Sequence, residues 1–197
     1  MRKQPRQQRA TATVNAILEA AARILVDTGY ATASTNRIAE RAGVSIGSLY
    51  EYFPGKEAIF AELRRREMAN WYAKLRAGPR SGSPIAVIRH IVATQIRYAA
   101  ENPELYVALE TEVPRAAVSD VQGAIQDDFL KLSVTYLEAH RHLLRPKARM
   151  TFVAEFLARW VSSTIHGFAM HAPKELLRAD LAEELVDAVA RYLLKDT

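Results

Sequence analysis

From Thr13 onward the apolar residues Val14, Ile17, Leu18, Ala21, Ile24 and Leu25 recur at three- and four-residue spacing. That period puts them on one face of a helix, which Gly29 ends. Shorter elements follow. Ser34 or Thr35 can cap a second helix through Ile38 to Arg41, Gly43 supplies the turn where it stops, and Ser45 can cap a third helix from Ile46 to about Tyr52. Pro54 and Gly55 break the chain before a fourth helix that starts near Lys56 and runs toward Leu75. The stretch GPRSGSP, residues 78–84, has two prolines and two glycines and reads as a linker.

Beyond the linker, Ile85, Ile88, Val92 and Ile96 form a helical stripe that is broken near Pro103. Another stretch crosses Leu105 and Leu109 to Pro114, and a third runs from about Ala117 to His142 with Ile125, Phe129, Leu132 and Tyr136. After Pro146 comes the most hydrophobic helix. It carries Phe152, Phe156, Trp160, Thr164 and Phe168 on one side, with Val153, Leu157, Val161 and Ile165 beside them. Two adjacent stripes cover more than one partner. Pro173 ends this helix, and a last one repeats Leu177, Leu181, Leu185, Val189 and Leu193 at four-residue spacing. No segment has a strand period, so the expected fold is all-α with about nine helices.

Charge adds an asymmetry. The 197 residues carry a net charge of +5, and all of it falls in residues 1–66, with 11 basic and 6 acidic side chains, while residues 67–197 hold 16 of each. A basic module joined to a neutral one suggests a polyanion for the first and another task for the second. The first ten residues, MRKQPRQQRA, read as a basic flexible arm. The absence of cysteine excludes thiolate catalysis, iron–sulfur ligation and Cys-containing zinc sites. Glu19 and Arg23 interrupt the first apolar run as a signal-peptide core would not, and no apolar stretch reaches the ~18 residues a bilayer requires. A cytoplasmic protein without a membrane segment is expected.

The chemistry concentrates in STNRIAERAGVSIGSLYEY, residues 34–52, two short helices around a glycine turn. Ile38, Ala39, Val44 and Leu49 would point inward. Ser45, Ile46, Gly47, Ser48, Tyr50 and Glu51 would point outward in a set compact enough for a major groove. A helical corner with no DNA role needs the same glycine and the same inward aliphatics. Ile46 can offer a groove only apolar contact, for instance with a thymine methyl, and Gly47 only close approach, so polar readout falls to Ser45, Ser48 and the arm. Arg2, Lys3, Arg6 and Arg9 could follow the backbone or enter a minor groove.

Residues 12–63, above all RIAERAGVSIGSLYEYFPGKEAIFAEL, resemble the DNA-binding domain of the TetR family of bacterial transcriptional regulators. The resemblance implies a helix-turn-helix DNA-binding domain over 11–56, a connecting helix over 57–77, and a ligand-binding and dimerisation domain over 78–197. It also implies phosphate contacts from Thr35 and Asn36, base contacts from Ser45, Ile46, Gly47 and Ser48, phosphate or groove contacts from Tyr50 and Tyr52, and an anchoring Lys56. Phe53 is expected in the core. The function implied is a repressor that binds palindromic double-stranded operator DNA as a homodimer through its last two helices and is released by a small-molecule effector. An activator of the same fold, and a helical interaction module without DNA binding, are the alternatives.

Candidates for effector contact are residues that are polar or aromatic within otherwise apolar helices: His90, Gln95, Tyr98, Tyr106, Phe129, Tyr136, Trp160 and Thr164. His140, His142, His166 and His171 have no acidic neighbour at a metal-ligand spacing, and no phosphate loop or nucleophile turn is present, so no metal, cofactor or enzymatic activity is expected.

Overall fold

The computed structural model describes residues 3–79, 82–114, 119–145 and 149–195. Arg2 of the basic arm, Arg80 and Ser81 of the linker, Ala117 and Pro146 lie outside the described residues, as do the side chains of Lys3, Arg6 and Ile125. The described residues form nine α-helices and no strand, in agreement with the all-α expectation. In chain order they are α1 (Lys3–Thr28), α2 (Thr35–Ala42), α3 (Ile46–Tyr50), α4 (Lys56–Arg76), α5 (Pro84–Glu101), α6 (Pro103–Thr111), α7 (Ser119–Ala139), α8 (Met150–His171) and α9 (Ala179–Leu193). No helix among the described residues is long and apolar enough to cross a membrane.

Two boundaries differ from the pattern reading. The stretch 1–10 is expected as a flexible arm and the apolar stripe has its first residue at Val14, yet α1 begins at Lys3 and takes up the arm from there. Gln7, Gln8 and Ala10 are good helix formers, and Pro5 sits in the first turn, where its missing N–H has no partner to lose. At the other end, Leu177 does not belong to the last helix. It closes a separate 3-10 turn, Pro173–Leu177, and is 75% exposed, while Leu185, Val189 and Leu193 of α9 are buried. The spacing continued through a break in the backbone.

The chain divides into two compact units, each drawn from two stretches: Met1–Glu67 with Glu104–Val121, and Met68–Pro103 with Gln122–Thr197. In the first unit, Ile17, Leu18, Ile24 and Leu25 of α1 form a core with Ile38 and Ala39 of α2, Leu49 of α3 and Ile59, Phe60 and Leu63 of α4. Ala108 and Leu109 of α6, with Val113 just beyond it, complete that core. The α6 helix is also clamped to α4, where the buried Arg64 donates to the Leu109 carbonyl and to Glu110 Oε1 at 2.7 Å. A buried guanidinium needs such partners, because it cannot shed its charge.

In the second unit α5 packs on both α8 and α9. Ser83 caps α5 with Pro84 in its first turn. The inward stripe of α8 is Val153, Val161 and Ile165, whereas Phe152 and Phe156 of the adjacent stripe remain exposed. An isolated antiparallel bridge joins Leu144 to Leu194, and Lys195 N–H donates to the Leu143 carbonyl, tying the end of the chain to the segment after α7.

Candidate nucleic-acid interface

The turn between α2 and α3 is set by backbone chemistry. Gly43 lies at φ 68°, its N–H donates to Glu40 O, and Val44 N–H donates to Ala39 O. Two carbonyls at the C-terminal end of α2 are thereby satisfied, and the left-handed position is one that glycine adopts without strain. Ser34 caps the start of α2 by accepting from Arg37 N–H. Ser45 does the same for α3, its Oγ accepting from Ser48 N–H at 3.0 Å and donating to Ser48 Oγ at 2.9 Å.

That capping divides the two serines. The Ser45 proton is already used within the helix, and the Ser48 proton is the one available to an external acceptor. Ser45→Ala is expected to cost ~1 kcal/mol of stability through the lost cap, measured by urea unfolding; a variant as stable as the parent would show the cap to be idle.

Only Leu49 of α3 is buried. Around it Ile46, Tyr50 and Tyr52 are exposed by 38%, 52% and 38%, an unusual fraction for such side chains on a segment this short. Gly47 is open as well, since a Cβ built there would meet nothing nearer than Ser45 Oγ at 3.9 Å. No packing contact within the fold demands glycine at 47. Thr35 Oγ1 and Tyr50 OH lie 3.1 Å apart, so the start of α2 and the end of α3 meet through two candidate phosphate contacts. Asn36 is exposed beside them. Phe53 is buried, as expected.

Lys56 opens α4, where its Nζ donates to the Tyr30 carbonyl at 3.2 Å and stands 4.4 Å from the centre of the Tyr30 ring. The same ring leans on Phe60 at 5.1 Å. Tyr30 itself is held by Glu112, whose Oε2 accepts its N–H at 2.9 Å. Neither Tyr30 nor Glu112 stood out in the sequence, because Tyr30 sits in a turn and its partner lies 82 residues away.

The candidate effector contacts do not form one group. Tyr106 belongs to the first unit, where burial and then the nearby Glu110 push its phenol up to about 12, opposed by Arg64. Trp160 lies on the outward aromatic side of α8, 5.8 Å from Phe156 and 6.3 Å from Tyr192 of α9. Thr164 Oγ1 donates back to the Trp160 carbonyl, and His90 Nε2 is 3.0 Å from Leu75 O. Tyr98 is half-buried on α5.

The remaining candidates are associated with buried polar atoms that have no hydrogen-bond partner. Gln95 donates through Nε2 to Ser162 Oγ at 3.0 Å, yet its Oε1 is unpaired. The Tyr136 hydroxyl is unpaired too, and burial raises its pKa. Phe129 packs edge-on against Trp71 at 5.9 Å, and Trp71 Nε1 is the third such atom. Trp71 was missed because the apolar period of α4 gave no reason to single it out. Among the described residues no group of three His, Asp or Glu could hold a metal ion.

The profile described as bacterial regulatory proteins of the tetR family matches residues 17–63, and that of the tetracyclin repressor-like C-terminal domain matches residues 83–193. The HTH-type transcriptional regulator RutR of Escherichia coli (strain K12) is 31% identical over 99 residues, 50% of this chain and 47% of RutR. The HTH-type transcriptional repressor KstR of Mycolicibacterium smegmatis is 34% identical over 94 residues, 47% of this chain and 46% of KstR. The chain thus spans about half the length of these curated relatives. The solved structure of an SmeT–triclosan complex has the same fold, with a TM-score of 0.72 at 23% identity over 94% of this chain and 93% of SmeT. With one profile on the helix-turn-helix and the other spanning more than half of the sequence, the chain belongs to the TetR family of bacterial regulatory proteins.

Proposed function

We propose that this protein is a transcriptional repressor that binds palindromic operator DNA as a homodimer and is released by a small-molecule effector. The observation that carries the reading is the outer face of α3, where Ile46, Tyr50 and the open Gly47 surround a hydroxyl at Ser48 while Leu49 alone anchors the helix. A corner used only as structure has no reason to expose these groups together. Thr35, Asn36, Tyr50, Tyr52 and Lys56 then meet the phosphate backbone, and Ser45, Ile46, Gly47 and Ser48 lie toward the bases. The arm of residues 1–10 adds charge to this grip, residues 11–56 read the operator, 57–77 connect, and 78–197 sense and dimerise.

Dimerisation through α8 and α9 is supported by the exposed Phe152 and Phe156, the latter 5.3 Å from Tyr192 of α9. Effector binding in the second unit is supported by the unpaired Trp71 Nε1, Gln95 Oε1 and Tyr136 hydroxyl, since a buried polar group without a partner is costly until something pairs with it. SmeT, of the same fold, was solved with triclosan. The effector acts by binding better to a dimer whose two helix-turn-helix units no longer match the half-site spacing. The protein works in the cytoplasm, without catalysis or cofactor.

Gel-shift titration against operator fragments obtained by selection tests this reading. Affinity is expected to fall steeply between about 50 and 200 mM salt, as for any protein that neutralises several phosphates. Tyr50→Phe should weaken binding to all sequences alike, whereas Ser48→Ala should change the preference among them. Failure to bind any palindrome at low salt would overturn the reading.

A further inference from the structure

The helices α1 and α2 both end on a left-handed glycine, yet they finish differently. At the end of α2 the two N–H groups beyond the helix both fold back onto it. At the end of α1, Gly29 (φ 81°) donates to Leu25 O at 3.1 Å, and the next N–H, that of Tyr30, is left over. It goes to Glu112, just past α6. The approach depends on glycine, because a Cβ at position 29 would stand 2.7 Å from Glu112 Oε2.

The opposite side of Tyr30 holds Lys56, through its carbonyl and its ring face. One residue therefore joins a carboxylate at the end of α6 to the ammonium that opens α4. An ammonium has three donors, so the bond to Tyr30 O fixes its place and leaves others for a phosphate. A lysine held in this way loses less freedom on binding than one free in solvent.

We propose that Glu112 is a positioning residue for the DNA contact made by Lys56, acting through the backbone of Tyr30. The inference rests on the DNA-binding reading. It also predicts a sign that charge alone does not. Glu112 is a negative group in a unit that meets a polyanion, so its removal should tighten binding if it were only a charge. Removal of a support for Lys56 should weaken binding.

The test is titration of the full-length protein with a selected operator duplex at several salt concentrations, for wild type, Glu112→Ala, Glu112→Gln, Lys56→Ala and the double variant Glu112→Ala/Lys56→Ala. Loss of one phosphate contact from each protomer, two per bound dimer, is worth about 25-fold in affinity at moderate salt, with the salt slope reduced by about two. Glu112→Ala is expected to show that loss. Glu112→Gln, which keeps an oxygen able to accept the Tyr30 N–H, should bind as well as wild type or better. The double variant should bind no worse than Lys56→Ala, because the two changes remove one contact.

Glu112→Ala binding as tightly as wild type overturns the proposal, and so do losses that multiply in the double variant or a Glu112→Gln as weak as Glu112→Ala. If Glu112→Ala does not fold, as judged by circular dichroism, Glu112→Asp carries the test. It keeps the charge and retracts the oxygen, and is expected to weaken binding. Wild-type protein that binds no duplex overturns the DNA reading itself, whereas wild-type binding left unchanged in these variants overturns the positioning role alone.

Discussion

Phe156→Arg is expected to leave the protein monomeric in sedimentation velocity and to weaken operator binding by ~100-fold or more. The side chain is 39% exposed on α8, between Phe152 at 6.3 Å and Trp160 at 5.8 Å, with Tyr192 of α9 at 5.3 Å. Exposed aromatics contiguous along a helix are an interface signature. On a two-fold axis the same patch meets itself, so one substitution inserts two like charges into the contact. The affinity loss follows because a monomer keeps one half-site and forfeits the high local concentration of the second. The inward face of α8, with Val153, Val161 and Ile165, is untouched, so the second unit should still fold, while its melting falls and loses its dependence on protein concentration. A Phe156→Arg protein that remains dimeric would refute the α8 contact.

Leu49→Ala should cost ~2–5 kcal/mol, the usual range for truncating a fully buried leucine. Few substitutions here should act so locally. Leu49 is the one side chain of α3 in the core, and a five-residue helix has no independent stability. Hydrogen exchange should show residues 35–53 losing protection first. Both tryptophans of the chain, Trp71 and Trp160, lie in the second unit, so their fluorescence reports on that unit and not on α3. Unchanged protection over 35–53 would count against the anchoring role.

The parts of the molecule legible in the sequence are those governed by local rules. The periodicity of Ile17, Leu18, Ile24 and Leu25, the caps at Ser34 and Ser45, and the breaks at Gly29 and Gly43 each depend on a few neighbouring residues, and each stands in the structure. Where the period and the backbone part company, at Leu177, a 3-10 turn keeps the four-residue spacing without continuing the helix. Long-range pairing was not legible. Nothing near Glu112 marks it as the acceptor for Tyr30, and nothing near Tyr106 assigns it to the first unit. The candidate DNA contacts could be read together because residues 35–56 are contiguous. The effector candidates come from four helices spread between His90 and Thr164, where polarity within an apolar helix has many structural causes.

The contribution of α6 to the first unit bears on any attempt to exchange operator specificity between relatives. A graft cut at the Pro/Gly linker would carry α1 to α4 and leave behind Ala108, Leu109 and Val113, uncovering core that these residues seal. It would also strand Arg64, a buried cation, without Leu109 and Glu110. A workable transplant has two junctions instead of one and moves residues 104–113 with the reading head. The gene segment that encodes the first unit is therefore interrupted by part of the second.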